Sequence, residues 1–158
     1  MSFFEKGIVA HIVFAHPVCD ELSSALYGSG KALGLNMHKG GTYINMEGPA
    51  FSTFAESNLY RSWGMDIIGM TNMSEAKLAR EAEICYAVLA AVTDYDCWHP
   101  QHESVTVEMV INNLSKNIAN SKKILYAAVK NLPAERTCAC KDALKYAIIT
   151  DREESRGI

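Results

Sequence analysis

The sequence has no excess of basic residues. Its 158 residues include 15 lysine and arginine side chains against 18 aspartate and glutamate side chains, which gives a formal net charge of -3 at pH 7. Proteins that bind the phosphate backbone of nucleic acids depend on a surplus of positive charge to neutralise it. We therefore expect no nucleic-acid partner.

Long hydrophobic runs are also lacking. The longest one, from Ile84 to Val92, is about half as long as the ~20 residues that cross a bilayer. The first residues contain neither a basic stretch followed by a long apolar block nor a small-residue cleavage site. These absences predict a cytoplasmic protein with no membrane partner.

Proline is scarce, with 4 residues, and the 10 glycines form no linker-like stretch. Apolar residues make up 49% of the chain and aromatic residues 9%, which is usual for a globular domain and excludes a disordered or collagen-like chain. We expect residues 1–158 to form a single domain with its own core.

Apolar segments with strand-like and helix-like patterns alternate along the chain. The predicted strands lie at residues 8–15, 42–46, 66–70 and 84–93. Helical spacing predicts helices over residues 20–33, 53–63, 75–83 and 106–132, and a last one that begins near Lys141. This order predicts the α/β class, as a three-layer sandwich around a twisted mixed sheet. In such sheets, ligands bind at the carboxyl ends of the strands.

Two carboxylates, Asp94 and Asp96, directly follow the most apolar predicted strand. Partial burial there would raise the pKa of a carboxyl group, so that one of the pair could donate a proton. The same spacing also occurs in helix caps and in Ca²⁺ or Mg²⁺ sites. The pair is the sharpest indication of a site, and its spacing leaves these interpretations open.

Other residues near the strand ends have two interpretations each. Phe51 could stack on a flat ligand or pack as a staple on the following helix. Thr71 could bind an anion or cap a helix, and Met70 could line a pocket or fill the core. His11 lies in an apolar predicted strand, where a core histidine is the default interpretation.

The five cysteines form an odd set that fits a reducing compartment. Cys138 and Cys140 have one residue between them, whereas zinc-binding pairs usually have two to four, and no second ligand pair follows. We expect a redox or incidental pair and no metal site. Glycine-rich phosphate loops and the nucleophile motif of hydrolases are also lacking.

Five segments together resemble the S-methyl-5′-thioadenosine phosphorylase family, and most of all its bacterial members: Gly41–Ser52, Ala55–Ser57, Ile68–Met73, Lys77–Glu81 and Thr93–Trp98. The likeness extends from about Phe3 to Thr150. It implies the purine nucleoside phosphorylase fold and phosphorolysis of S-methyl-5′-thioadenosine to adenine and 5-methylthioribose 1-phosphate. It also implies a role in purine and methionine salvage, inorganic phosphate as co-substrate, no cofactor, and a homotrimer or hexamer.

The resemblance implies roles for the residues that would contact the purine and the ribose. Asp94 would hydrogen-bond and protonate purine N7, and Asp96 would accept a hydrogen bond from the 6-amino group. Ser52 stands where related phosphorylases of 6-oxopurines have glutamate. Phe51 would pack on the base and Met70 on the ribose.

The remaining roles concern phosphate and the 5′ substituent. By the same resemblance, Thr71 would bind phosphate. Val107, Val110 and Ile111 would form an apolar pocket for the 5′ group, with His11 supplied across a subunit interface.

The chain is far shorter than a full-length member of that family. The resemblance then implies that the amino-terminal strands and most phosphate ligands are missing. Two functions follow: the carboxyl-terminal part of a working phosphorylase subunit, completed by an amino-terminal chain or cut from a longer parent, or a truncated, inactive paralogue. The paralogue would bind 6-aminopurine ligands or associate with a full-length subunit. Either way, we expect the lone chain to self-associate.

Overall fold

The computed structural model describes residues 2–4, 6–100 and 106–150 and shows an α/β chain. In chain order, the elements are α1 (Asp20–Ala32), β1 (Tyr43–Asn45), α2 (Phe54–Ser62), β2 (Ile67–Gly69), α3 (Asn72–Glu81) and α4 (Val107–Asn131). A short 3₁₀-helix, Ala139–Asp142, follows them. The α/β class predicted from the alternating pattern is confirmed.

The chain divides into two compact units. Unit 1 comprises Met1–Ser24, Thr71–Val88 and Leu132–Ile158, and unit 2 comprises Ala25–Met70 and Leu89–Asn131. Unit 2 contains the sheet and the long helix α4. Unit 1 contains α3 and the 3₁₀-helix.

The sheet of unit 2 is small and parallel. Strands β1 and β2 pair in the register Tyr43 to Ile67, Ile44 to Ile68 and Asn45 to Gly69. Helix α2 connects them, as parallel strands require a crossover. Because the two strands are parallel, the loops that follow both of them leave the sheet at the same edge.

Helix α2 begins with a capping box formed by Thr53 and Glu56. The Glu56 backbone N–H donates to Thr53 Oγ1 at 3.3 Å, and the Thr53 backbone N–H donates to Glu56 Oε2 at 2.8 Å. The backbone and hydroxyl hydrogen bonds from Thr53 lower the pKa of the Glu56 carboxyl group. This cap fixes where the loop after β1 ends and the helix starts.

The buried side of α2 is not its apolar stripe. Leu59 and Trp63 repeat at helical spacing, which is typical of a buried face, but both are exposed, and Ser57 is the buried residue of the helix. An apolar stripe is buried only where another element covers it, and the described residues leave this one open. A polar side chain in the core requires a partner, and Ser57 has one in the site described below.

Two predicted strands are wrong. Residues 84–93 form neither helix nor strand, and residues 8–15 contribute only an isolated antiparallel bridge between Ala10 and Ile148. A ladder needs a neighbouring strand, and the only ladder among the described residues joins β1 and β2. The backbone of 84–93 is bonded in other ways: the Cys19 N–H donates to Tyr86 O, and side chains of α4 donate to the Val92 and Thr93 carbonyl groups.

The helix predictions have different outcomes. Those for α1, α2 and α4 are confirmed, and α3 begins earlier than predicted. The helix predicted near Lys141 is wrong, because residues 139–148 form the 3₁₀-helix and turns around the buried Ala147. None of the described helices combines the length and the apolar character needed to cross a membrane.

Candidate active site

Three loops that follow predicted strands meet within unit 2. Residues 47–52 follow β1, Met70 follows β2, and Asp94 and Asp96 follow the apolar segment that ends at Thr93. Contacts between these loops bring together residues that are distant in sequence. Two of these loops follow the strands of the sheet, and the third follows an apolar segment that forms no strand.

Asp96 is held by hydroxyl groups from the first of these loops and from α2. Ser52 Oγ lies 3.4 Å from both carboxylate oxygens of Asp96, and Ser57 Oγ donates a short hydrogen bond to Oδ2. The Cys97 backbone N–H donates to Oδ1 at 2.8 Å. With donors on both oxygens, the half-buried carboxylate has a fixed orientation.

Asp94 is positioned through its neighbours on the chain. The Thr93 hydroxyl donates to Asp94 Oδ1 at 2.5 Å, and Asn113 and Asn117 of α4 donate to the carbonyl oxygens of Thr93 and Val92 at 3.0 and 2.8 Å. These bonds fasten the end of the apolar segment to α4. Asp94 itself is exposed rather than partly buried, so its carboxyl group is free to face a ligand from solvent.

Met70 packs against the loop that follows β1. A Cβ added to Gly48 would lie 2.8 Å from Met70 Sδ, so a side chain at position 48 would displace the end of the Met70 side chain. Met70 is half-buried and lines the edge where the two loops meet. The contact agrees with the interpretation of Met70 as a pocket residue rather than a fully buried core residue.

Phe51 is 87% exposed. Its interpretation as a staple on α2 is therefore wrong, because a staple residue is buried by the helix it packs on. An aromatic ring held open beside a capped helix presents its face to solvent, which is what a stacking residue for a flat ligand requires.

The first turn of α4 presents three apolar residues. Val107 is 77% exposed, Ile111 is also exposed, and Val110 is half-buried. Thr106 starts the helix, since its hydroxyl accepts from the Met109 N–H at 3.2 Å. The start of α4 thus carries an exposed apolar surface, as the resemblance implies for a pocket that binds the 5′ substituent.

The two other predicted residues lie in unit 1. Thr71 immediately precedes α3 and makes no side-chain capping hydrogen bond, so its hydroxyl is not used by the helix. His11 is exposed, and its backbone N–H donates to Ala147 O at 2.8 Å. The interpretation of His11 as a core histidine is wrong for the described chain.

Sequence reasoning missed Ser57 and Arg61, which share a face of α2 near Asp96. The guanidinium carbon of Arg61 lies 4.1 Å from the centre of the Trp98 ring. Together with Asp96, these residues line a cleft of about 50 Å³, far smaller than the roughly 300 Å³ or more of a ligand pocket. The cleft is therefore too small to enclose a ligand, and the residues that line it surround Asp96.

Four cysteine thiols come together in unit 1: Cys19, Cys85, Cys138 and Cys140. Burial raises the pKa of the Cys140 thiol to about 12 and also raises the pKa of Cys85. Burial acts in the same direction on Cys138, but hydrogen bonds, the largest from Cys85, outweigh it and lower the pKa of that thiol. The thiols thus form one interacting group rather than the isolated pair that the sequence suggests.

The chain is similar in sequence to a known protein superfamily and to enzymes within it. The profile of the phosphorylase superfamily matches residues 1–130. S-methyl-5′-thioadenosine phosphorylases from Geobacter sulfurreducens and Gloeobacter violaceus are each 58% identical to it, over 151 and 158 residues. These matches cover 96% and 97% of this chain but 53% of each relative, so the chain spans about half the length of the curated relatives it matches.

Solved structures show the same likeness. A methylthioadenosine phosphorylase from an Antarctic soil metagenomic library superposes with a TM-score of 0.89 at 44% identity, over 97% of this chain and 55% of that one. The Schistosoma mansoni methylthioadenosine phosphorylase in complex with adenine gives a TM-score of 0.82 at 30% identity, over 94% and 60%. Both the fold and the family predicted by the motif resemblance are thus confirmed, and the chain belongs to the phosphorylase superfamily.

Proposed function

We propose that this chain acts in the phosphorolysis of S-methyl-5′-thioadenosine to adenine and 5-methylthioribose 1-phosphate. The observation that carries the proposal is the Asp96 carboxylate, oriented by Ser52 and Ser57 at the edge of the sheet. It occurs in a chain that is 58% identical to enzymes named for this reaction. Adenine bound in a structural relative supports the same substrate class.

In the proposed reaction, a phosphate oxygen forms a bond to the anomeric carbon while the bond from that carbon to purine N9 breaks. The electron pair of the broken bond passes into the purine, whose N7 takes a proton from the carboxyl group of Asp94. Neutralising the leaving group in this way lowers the barrier most when the proton donor is already in position. The bonds that fasten Thr93 to Asp94 and to α4 support that position.

Base selection rests on Asp96. A carboxylate can only accept hydrogen bonds, so it fits the 6-amino group of adenine and not the 6-oxo group of hypoxanthine. Ser52 keeps the neighbouring position small and uncharged. In this proposal Phe51 stacks on the base and Met70 contacts the ribose.

The rest of the substrate would meet residues at the ends of α3 and α4. Val107, Val110 and Ile111 offer apolar surface to the methylthio group, with His11 contributed by a neighbouring subunit. Thr71 binds phosphate with its hydroxyl group, which α3 does not use. The reaction needs no resident cofactor, because phosphate is the co-substrate.

The proposed setting is cytoplasmic purine and methionine salvage, and the proposed partners are other chains rather than nucleic acid or membrane. Apolar residues stay exposed along α4, among them Leu114, Ile118 and Leu125. An exposed apolar stripe of this kind is usually covered in an assembly. A homotrimer or hexamer, or a complementing amino-terminal chain, would cover it, and a sharp monomer peak in light scattering would exclude self-association.

The test measures release of adenine from S-methyl-5′-thioadenosine by the purified chain, in reactions with and without phosphate. Adenine is quantified by chromatography. Release that depends on phosphate is expected, together with formation of the sugar 1-phosphate. Release without phosphate would indicate hydrolysis and overturn the proposal. No release from folded chain that still binds adenine would favour the alternative, an inactive relative that binds 6-aminopurines.

Ser57→Ala should reduce kcat/KM for S-methyl-5′-thioadenosine by about tenfold to a hundredfold. The estimate follows from loss of a hydrogen bond to a charged group, worth ~1.5–3 kcal/mol. The matched control is Ser62→Ala on the same helix, because the Ser62 hydroxyl donates to the backbone oxygen of Leu59 within the helix. A role of Ser57 in positioning Asp96 also requires weaker discrimination against the 6-oxo analogue, and equal effects of both variants would contradict it.

A further inference from the structure

The four thiols of unit 1 form a compact tetrad. The Sγ atoms of Cys19, Cys85, Cys138 and Cys140 all lie within 4.8 Å of one another, and the Sγ atoms of Cys85 and Cys138 are 3.4 Å apart. Cys19 and Cys140 are 3% and 7% exposed. In a tetrahedral zinc site with Zn–S bonds of about 2.3 Å, the sulfur atoms lie about 3.8 Å apart. The sulfur atoms of the tetrad would therefore need to move closer together by at most ~1 Å to reach the spacing of such a site.

Backbone and side-chain hydrogen bonds hold the segments that carry the thiols. The Cys19 N–H donates to Tyr86 O at 2.7 Å, which places Cys19 beside Cys85. Glu83, with a left-handed φ of 56°, turns the chain before Cys85. Its carbonyl oxygen accepts from Arg136 at 2.7 Å, and its carboxylate accepts from the Leu144 N–H at 2.9 Å.

A third connection links the first turn of α1, which directly follows Cys19, to the segment that carries Cys138. The Thr137 hydroxyl donates a short hydrogen bond to the carboxylate of Glu21. The three thiol-bearing segments are thus joined to one another by bonds that do not involve the thiols. The sulfur atoms are thus brought together by other parts of the chain, and a preformed arrangement of this kind lowers the cost of binding an ion.

We propose that Cys19, Cys85, Cys138 and Cys140 bind one Zn²⁺ ion as a structural site. Soft thiolate ligands select zinc over hard cations, and four thiolates with no open position are typical of structural rather than catalytic zinc. Each thiol is within reach of all three others, which suits one central ion, whereas disulfides would join the sulfur atoms only in pairs. The short span leaves room for a single ion and excludes a multi-iron cluster.

Binding removes the four thiol protons, so the filled site carries two negative charges. The positively charged Arg136 lines the same cleft as Cys85. A cleft of about 330 Å³, lined by Cys19, Cys85 and Arg136, adjoins the tetrad. It provides the entry path that a metal ion requires.

From the sequence alone we expect no metal site, because no second ligand pair follows Cys140. In the structure the other two thiols of the tetrad precede the Cys-x-Cys pair and come from distant parts of the chain. The site is separate from the residues proposed for phosphorolysis. Its test is therefore independent of enzyme activity.

The first measurement is the zinc content of the chain purified under reducing conditions, by inductively coupled plasma mass spectrometry. We expect about one zinc ion per chain. Co²⁺ bound in exchange should show the visible absorption of tetrahedral thiolate cobalt. This spectrum reports the ligands in the native chain, so it decides the question even where a variant fails to fold.

The variants Cys85→Ser and Cys138→Ser should lower zinc affinity by about tenfold to a hundredfold or more. Cys97→Ser is the matched control, since the Cys97 thiol contacts Ser52 O in unit 2 and lies outside the tetrad. The proposal is overturned by a metal-free chain without the cobalt spectrum, by iron in place of zinc, or by non-reducing mass spectrometry that shows the four thiols oxidised in pairs.

Discussion

Asp94→Asn should lower kcat for phosphorolysis of S-methyl-5′-thioadenosine by about 10²- to 10⁴-fold, the usual contribution of a general acid. The asparagine amide still accepts the hydrogen bond that Thr93 donates to Oδ1, so the local structure should persist. It has no acidic proton to pass to purine N7. We therefore expect KM to change far less than kcat, because the lost interaction develops only as the glycosidic bond breaks.

The control for this variant is Glu135→Gln, the same loss of charge at an exposed carboxylate outside the proposed site. Steady-state rates are measured with saturating phosphate, and adenine binding is measured separately by calorimetry. Unchanged turnover in Asp94→Asn would remove Asp94 from the mechanism. Loss of adenine binding in proportion to loss of rate would make Asp94 a binding residue instead of a proton donor.

Local signals in the sequence were sufficient for much of the fold. The capping box at Thr53 and Glu56 predicts the start of α2, and the spacing of apolar residues predicts α4 nearly to its ends. The parallel strands β1 and β2 lie inside the predicted strands. The interactions that form these helices are between residues close in sequence, and the two paired strands are connected by a single helix.

Pairing with distant strands could not be predicted in the same way. An apolar run such as Ile84 to Val92 is a strand only if another strand lies beside it, and the described residues supply side-chain donors from α4 instead. Burial fails for a similar reason. Phe51, Leu59 and Val107 have the hydrophobicity of core residues, yet what covers a residue is decided by tertiary structure and by assembly.

The site shows the same division. Asp94, Asp96 and Ser52 could be singled out from their places after predicted strands and from the motif resemblance. Ser57 could not be assigned a role, because a serine in an amphipathic helix is ordinarily at the surface. Only the structure reveals that it is 1% exposed and bonded to Asp96.

The second large effect concerns base selection. The double variant Ser52→Glu, Asp94→Asn should lower the preference for S-methyl-5′-thioadenosine over S-methyl-5′-thioinosine by about 10²-fold or more. These nucleosides have the same sugar and differ only in the purine ring. Hypoxanthine has a hydrogen on N1 and an oxygen at position 6. At N1 it therefore needs a hydrogen-bond acceptor from the protein, whereas adenine does not. At position 6 it needs a donor, whereas the amino group of adenine needs an acceptor.

The structure explains why both changes are needed. Ser52 Oγ lies 3.4 Å from both carboxylate oxygens of Asp96, so Ser52→Glu alone sets a second carboxylate beside the first. Repulsion between them favours binding of a shared proton and weakens the acceptor that adenine requires. Asp94→Asn then adds an amide donor on the side of N7 and O6. Each single variant should therefore lower activity on the thioadenosine without raising activity on the thioinosine as far as the pair does.

Ser52→Gln is the matched control, since it has the size of the glutamate variant without its charge. The ratio of kcat/KM values for the two nucleosides is measured for the wild-type chain, both single variants, the double variant and this control. A shift in the double variant alone supports base selection by the charged groups at the purine edge. An equal shift in Ser52→Gln would assign selection to size, and an unchanged ratio would refute recognition of the 6-amino group by Asp96 and its neighbours.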